Sequence, residues 1–254
     1  MLSASVGFHC PECARGGRQR VYTARTLGTL NRPIVTQIVV AINVAVFVAG
    51  SSGGGGLSSS SGRYDIDFGL IAHGFTRSGA IGVANGEWYR LITGGFLHAG
   101  FLHLAMNMLA LWLLGSQIER AIGGVRFAVV YFTALLAGSF GVMLLSPNQL
   151  TVGASGAIFG MLGLAVANQH ARGVNLRQSG LGGILVVNLL ITFTPGLNIS
   201  IGGHLGGLVG GLLCGLVIFR LGPKLQNETL VTALCGAIGL ACFAGALVAA
   251  QTAL

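Results

Sequence analysis

Charge is what this sequence has least of. Only 8% of its 254 residues are charged, six acids against 14 Lys and Arg, whereas soluble domains carry about 25%. With 53% hydrophobic residues, that shortage excludes an ordinary water-soluble domain and places the chain among membrane proteins. The net charge of +8 does not point to nucleic acid, because the basic residues are dispersed between apolar runs with no basic face or stacking motif. Cysteine is also scarce. Five of them, scattered, cannot form a disulfide scaffold, and Cys214, Cys235 and Cys242 fall in apolar runs as small buried hydrophobes. Cys10 and Cys13 form a C-x2-C pair, at most half of a tetrahedral zinc site even with His9 added. They are weak metal candidates, and no other cofactor is suggested. No cleavable leader is expected, since the first apolar run begins only at Pro33.

Seven segments are apolar enough to span or enter a bilayer: 33–50, 96–117, 126–145, 153–168, 180–193, 199–219 and 230–250. Most approach the roughly 20 residues needed to cross about 30 Å of hydrocarbon; the fourth and fifth are shorter. A long loop, 51–95, separates the first two. It opens with a Gly/Ser-rich tract and ends in Asn85-Gly86-Glu87-Trp88-Tyr89-Arg90, where aromatics suit the membrane interface. No tandem repeat is present. With the N-terminus inside, eleven Lys and Arg fall on cytoplasmic segments, and only Arg63, Arg77 and Arg90 fall outside. The positive-inside asymmetry therefore predicts a cytoplasmic N-terminus and an external C-terminus.

Polar residues inside spans are expensive and usually functional. None of the spans carries Asp, Glu, Lys or Arg at its centre; His98, His103 and Asn107 sit in the second, Ser155 in the fourth and His204 in the sixth. Those three spans run in the same direction, so the five residues are expected near one depth toward the outer face, in their first turns. His103 and Asn107, four apart, share a helix face, and His98 should lie about 140° away. Ser155 stands in Gly153-Ala154-Ser155-Gly156 at the start of a short span, with 146–152 dipping inward before it. Gly203, Gly207, Gly211 and Gly215, with Gly202, Gly206 and Gly210 beside them and Gly156 and Gly160 in the fourth span, form small-residue stripes that allow close helix approach. Packing the two spans together would bring Ser155 to His204. A serine becomes nucleophilic when a neighbouring histidine takes its proton, so the pair reads as a catalytic dyad. No acid is available to orient the base. His103, Asn107 and the Ser155 N–H supply donors for an oxyanion. A G-x-S-G string by itself is weak, since Ser and Gly are common packing residues in spans.

Taken together, Trp88-Tyr89-Arg90, His98-x4-His103-x3-Asn107, Gly153-Ala154-Ser155-Gly156-Ala157 and His204-Leu205-Gly206-Gly207 resemble the rhomboid intramembrane serine proteases, over roughly 33–220. The resemblance implies an all-α membrane protein: a rhomboid-like six-helix transmembrane core (33–220), a cytoplasmic segment before it (1–32), and a linker with one more C-terminal helix after it (221–254). It implies a Ser155–His204 dyad, an oxyanion site at His103, Asn107 and the Ser155 amide, and supporting roles for His98, Gly153, Gly156, Phe159, Trp88, Arg90 and Gly207. The short fifth span would resemble the tilted helix near lateral substrate entry. Substrates would be single-span membrane proteins in a bacterial-type plasma membrane, with no cofactor and no nucleic acid. Phe159 stands where members often have Tyr, keeping the ring, and Gly203 where Ala is frequent. Cys10-Pro11-Glu12-Cys13 resembles the end of a zinc-binding extension of some bacterial homologues. Two other readings are a catalytically silent rhomboid-like binder of membrane clients and a small transporter; the lack of intramembrane carboxylates argues against proton-coupled transport.

Overall fold

The computed structural model describes residues 2–3, 8–9, 32–52 and 62–253. Cys10 and Cys13 lie outside the described residues. The chain divides into two compact units, Met1–Arg32 and Pro33–Leu254. In the first, Leu2–Ser3 pairs antiparallel with Phe8–His9. The second is helical: α1 (Ile34–Ser52), α2 (Phe101–Ile122), α3 (Gly124–Leu145), α4 (Ser155–Ala171), α5 (Leu181–Thr192), α6 (Ile201–Leu225) and α7 (Glu228–Thr252). Among the described residues α1, α2, α3, α6 and α7 are long and apolar enough to cross a bilayer; α4 and α5, at 17 and 12 residues, are shorter. Large apolar side chains such as Leu102, Leu190 and Leu240 point outward, exposed by the protein itself. On such a helical surface they face lipid. The chain is an all-α, multi-pass membrane protein.

Local chemistry sets the helix limits. The second helix begins at Phe101, five residues later than the hydropathy suggests, because Gly94–Phe96 form a 3-10 turn, Leu97 is extended and Gly100 takes φ +101°. It then runs past Gln117 to Ile122 through a π-helical turn at Leu111–Gly115 and stops at Gly123, φ +84°. The buried Glu119 near its end caps α1: its carboxylate accepts from the Val35 and Thr36 N–H groups (2.9 and 2.7 Å) and from the Thr36 hydroxyl (2.7 Å). An anion on the unpaired N–H groups at a helix start also complements the helix dipole.

Helix α6 is the centre of the bundle, wedged between α3 and α4. Its glycines sort onto two ridges. A Cβ on Gly202 or Gly206 would strike the Gly141 or Ala137 carbonyl of α3; one on Gly207 or Gly211 would strike the Gly156 or Gly160 carbonyl of α4. Backbones here touch directly, the arrangement that small-residue stripes permit.

The first loop folds against the bundle. A hairpin, Gly74–Thr76 with Gly79–Ile81, projects from it. The loop is centred on Arg90, 1% exposed, whose guanidinium donates to the Glu87 carboxylate (2.7 Å) and to the Ile66 and Gly69 carbonyls (2.8 and 2.7 Å). Glu87 also accepts from the Gly82 N–H (2.6 Å) and the Tyr89 hydroxyl (3.1 Å). Burial raises the Glu87 pKa, but the Gly82 N–H and the Arg90 guanidinium outweigh it and hold the group below the usual carboxylate value. Ser139 of α3 donates to the Leu91 carbonyl (2.7 Å), fixing the loop to the bundle. Trp88 remains half-exposed and meets Phe243 of α7 edge-on at 6.3 Å.

Two outcomes are expected. Gly207→Ala should destabilise the folded protein by about 1–3 kcal/mol, the usual cost of overpacking, while Gly183→Ala, where a Cβ meets nothing within 4 Å, should leave the thermal midpoint unchanged or slightly higher. Equal midpoints for the two variants would contradict the packing. For the loop, Glu87→Gln should lower the midpoint at neutral pH. A carboxylate with a depressed native pKa contributes stability that is complete above its unfolded value of about 4.3 and fades as pH falls through the native one. The gap between wild type and variant should therefore close on acidification; a gap independent of pH would show that the charge is not what matters.

Candidate active site

Ser155 is the first residue of α4, and its backbone N–H is among those at a helix start with no intrahelical acceptor. The loop that delivers it is held by the first loop. Leu70 and Thr151 exchange backbone hydrogen bonds (2.9 and 2.8 Å), Ala72 N–H donates to the Pro147 carbonyl (2.7 Å), and Gly153 N–H donates to the Gly94 carbonyl (2.9 Å). These bonds tie the segment before Ser155 to the first loop and pair backbone groups of both. Gly153 has φ +126°, and a Cβ there would come within 2.7 Å of the His103 ring. Glycine thus serves both the conformation and the space.

His204 lies in the first turn of α6, which opens with the Ser200 hydroxyl accepting from the Gly203 N–H at 3.1 Å. The imidazole is 7% exposed, with Nε2 2.8 Å from Ser155 Oγ. Phe159, one turn into α4 from Ser155, stacks on the ring at 4.0 Å and 17°. The Gly156–Gly207 contact lies directly behind this pair. Two helix starts and one backbone contact therefore set the distance between the hydroxyl and the ring.

His103 in α2 faces Gly153, and its Nδ1 accepts from the Ala99 N–H (3.2 Å). That acceptance leaves the ring proton on Nε2, on the side of the ring that faces Gly153. Asn107 is buried one turn on and donates to the His103 carbonyl (2.9 Å), which leaves its second amide hydrogen uncommitted by that bond. His98 departs from expectation. It precedes α2 and therefore has no helical angle to His103; instead the two rings meet edge-on at 5.1 Å. Arg90 and Trp88 belong to the first loop and stand away from the Ser155–His204 pair, acting through loop structure. A small cavity of about 30 Å³ opens beside Ser155, lined by Leu70, Gly94, Gly153, Ser200 and Gly203; it has room for a water molecule or two.

One partner of the site carries no sequence signal of its own. The Thr192 hydroxyl, at the end of α5, lies 2.7 Å from His204 Nδ1 and 2.7 Å from the Asn188 carbonyl.

Comparison with known proteins gives a consistent result. The model of the rhomboid domain matches residues 85–221, which include Ser155, His204, His103, Asn107 and Thr192. Rhomboid protease GluP of Bacillus subtilis (strain 168) is 36% identical over 178 residues, 68% of this chain and 32% of that protein. Putative rhomboid protease YdcA of the same organism is 47% identical over 85 residues, 33% of this chain and 43% of that protein. Inactive RHOMBOID-like protein 8 of Arabidopsis thaliana is 32% identical over 129 residues, 48% and 36% of the two chains. The chain spans under half the length of these curated relatives. With over half of its residues inside the domain match, the chain belongs to the rhomboid family.

Proposed function

We propose that this chain is an intramembrane serine endopeptidase that cleaves single-span membrane proteins. The observation that carries the reading is the 2.8 Å approach of Ser155 Oγ to His204 Nε2 at the starts of two bundle helices. His204 removes the hydroxyl proton as Oγ attacks the scissile carbonyl, then returns it to the leaving amine; water, activated by the same ring, releases the acyl group. Charge that develops on the carbonyl oxygen is met by the Ser155 N–H, the Nε2–H of His103 and the Asn107 amide, donors fixed in place before the substrate arrives. Phe159 holds the plane of the base. The Gly153 turn keeps His103 and Ser155 adjacent. A substrate segment must present its backbone at this recess, which favours single helices that unwind near small or helix-destabilising residues.

The rhomboid likeness, which includes relatives from Bacillus subtilis, supports a bacterial-type plasma membrane as the location, and the positive-inside asymmetry supports a cytoplasmic N-terminus and an external C-terminus. In that orientation the dyad opens toward the outer face. The six-helix core of 33–220 followed by the additional helix α7 is part of the same reading. The inactive relative favours one alternative, a silent binder of membrane clients. Cleavage measurements separate the two.

In purified protein, Ser155→Ala and His204→Ala should each abolish cleavage of a model single-span substrate, and the double variant should be no worse than either, because the pair acts as a unit. Substantial turnover in Ser155→Ala would overturn the assignment, and absence of cleavage by the wild type across a panel of such substrates would favour the binder. Asn107→Ala should lower turnover by about 10²–10³, the usual loss for an oxyanion donor, with a smaller change in KM. His103→Ala should also slow cleavage without disabling Ser155; a loss as complete as in His204→Ala would make His103 a rival base.

A further inference from the structure

We propose that Thr192 is a positioning residue for the base: it accepts the Nδ1–H of His204 and so holds the imidazole in the tautomer whose Nε2 is free to take the Ser155 proton. This inference rests on the serine-protease reading.

The argument is one of hydrogen counting. Thr192 has one hydroxyl hydrogen and two acceptors at 2.7 Å, the Asn188 carbonyl and His204 Nδ1. Suppose the imidazole proton is on Nε2. The single hydroxyl hydrogen must then serve either Asn188 or Nδ1, and the other 2.7 Å contact sets two lone pairs against each other. With the proton on Nδ1 every contact is satisfied. The hydroxyl donates back to the carbonyl four residues earlier, as a helical Thr readily does, its oxygen accepts Nδ1–H, and Nε2 accepts from Ser155 Oγ at 2.8 Å. The second arrangement is also the one that general-base catalysis requires. Both Thr192 and His204 are shielded, at 3% and 7% exposure, so water is poorly placed to repair the first arrangement.

The position of Thr192 adds a consequence. Much of α5 is turned outward, with Ile184, Val187 and Leu190 all at least half exposed, while Leu181 and Thr192 are its buried residues. The hydroxyl thereby ties the last turn of α5 to the base. A threonine hydroxyl is neutral, so it orients the ring without fixing a negative charge beside the imidazolium, and its contribution should be smaller than that of a carboxylate in a triad.

The test compares wild type, Thr192→Val, Thr192→Ser and Ser155→Ala on a model single-span substrate, with kcat and KM resolved. Thr192→Val keeps the shape and removes the hydroxyl, and should lower kcat about tenfold or more with little change in KM, whereas Thr192→Ser should stay within about threefold of wild type. Nitrogen-15 spectra of histidine-labelled wild type, with the His204 signals identified by their loss in His204→Ala, should show Nδ1 protonated and Nε2 bare when the ring is neutral. Full kcat in Thr192→Val, a serine variant as slow as the valine one, or a proton on Nε2 would each overturn the proposal. Should Thr192→Val fail to fold, the wild-type spectrum decides. Full activity in Ser155→Ala would bring down the serine reading and this inference with it; full activity in Thr192→Val beside an inert Ser155→Ala would remove only the role of Thr192.

Discussion

The contact of α6 with α4 is a contact of backbones, and the site exists because nothing lies between them. Gly207 and Gly211 seat against the Gly156 and Gly160 carbonyls with no space for a methyl group. In lipid there is no hydrophobic gain from bringing apolar helices together, so close packing of small residues must supply much of the association. The same closeness puts the first turn of α6 beside the first residue of α4. A hydroxyl and an imidazole on short side chains then reach 2.8 Å. On the opposite ridge Gly202 and Gly206 do the same against α3, so α6 is held from two sides and His204 has little freedom to drift.

The second constraint is the first loop. The segment before the short helix α4 carries backbone groups that need partners of their own wherever hydrocarbon surrounds them. The loop around Arg90 supplies them, through Leu70, Ala72 and Gly94. Arg90 in turn spends its donors on the Ile66 and Gly69 carbonyls. A charged residue with no contact to the dyad thus shapes the segment that pairs with the approach to Ser155.

Much of this was legible in the sequence, for identifiable reasons. Apolar runs long enough for membrane helices are a strong signal, and each expected segment overlaps a helix, with ends that differ by up to six residues. The glycine stripes indicated which helices pack, because a four-residue repeat of glycine has few other uses in a span. Where the structure differs, local backbone chemistry prevails: His98 looks helical by hydropathy, but the helix begins only after the Gly100 turn, and the His98 ring reaches His103 from the loop. The pairing of Leu70 with Thr151 joins residues 81 positions apart through backbone alone, which no side-chain pattern encodes. Thr192 escaped notice because a threonine in an apolar helix is ordinary, its hydroxyl usually satisfied by its own turn. Only the fold places His204 beside it.

The central claim is that Ser155 is a nucleophile activated by His204. The most direct measurement is the site of covalent attachment of a fluorophosphonate probe in the detergent-solubilised wild-type protein, mapped by mass spectrometry of the digested chain. The account predicts a single adduct on Ser155, lost in His204→Ala. An adduct on another residue, or equal labelling of Ser155 without His204, would contradict it.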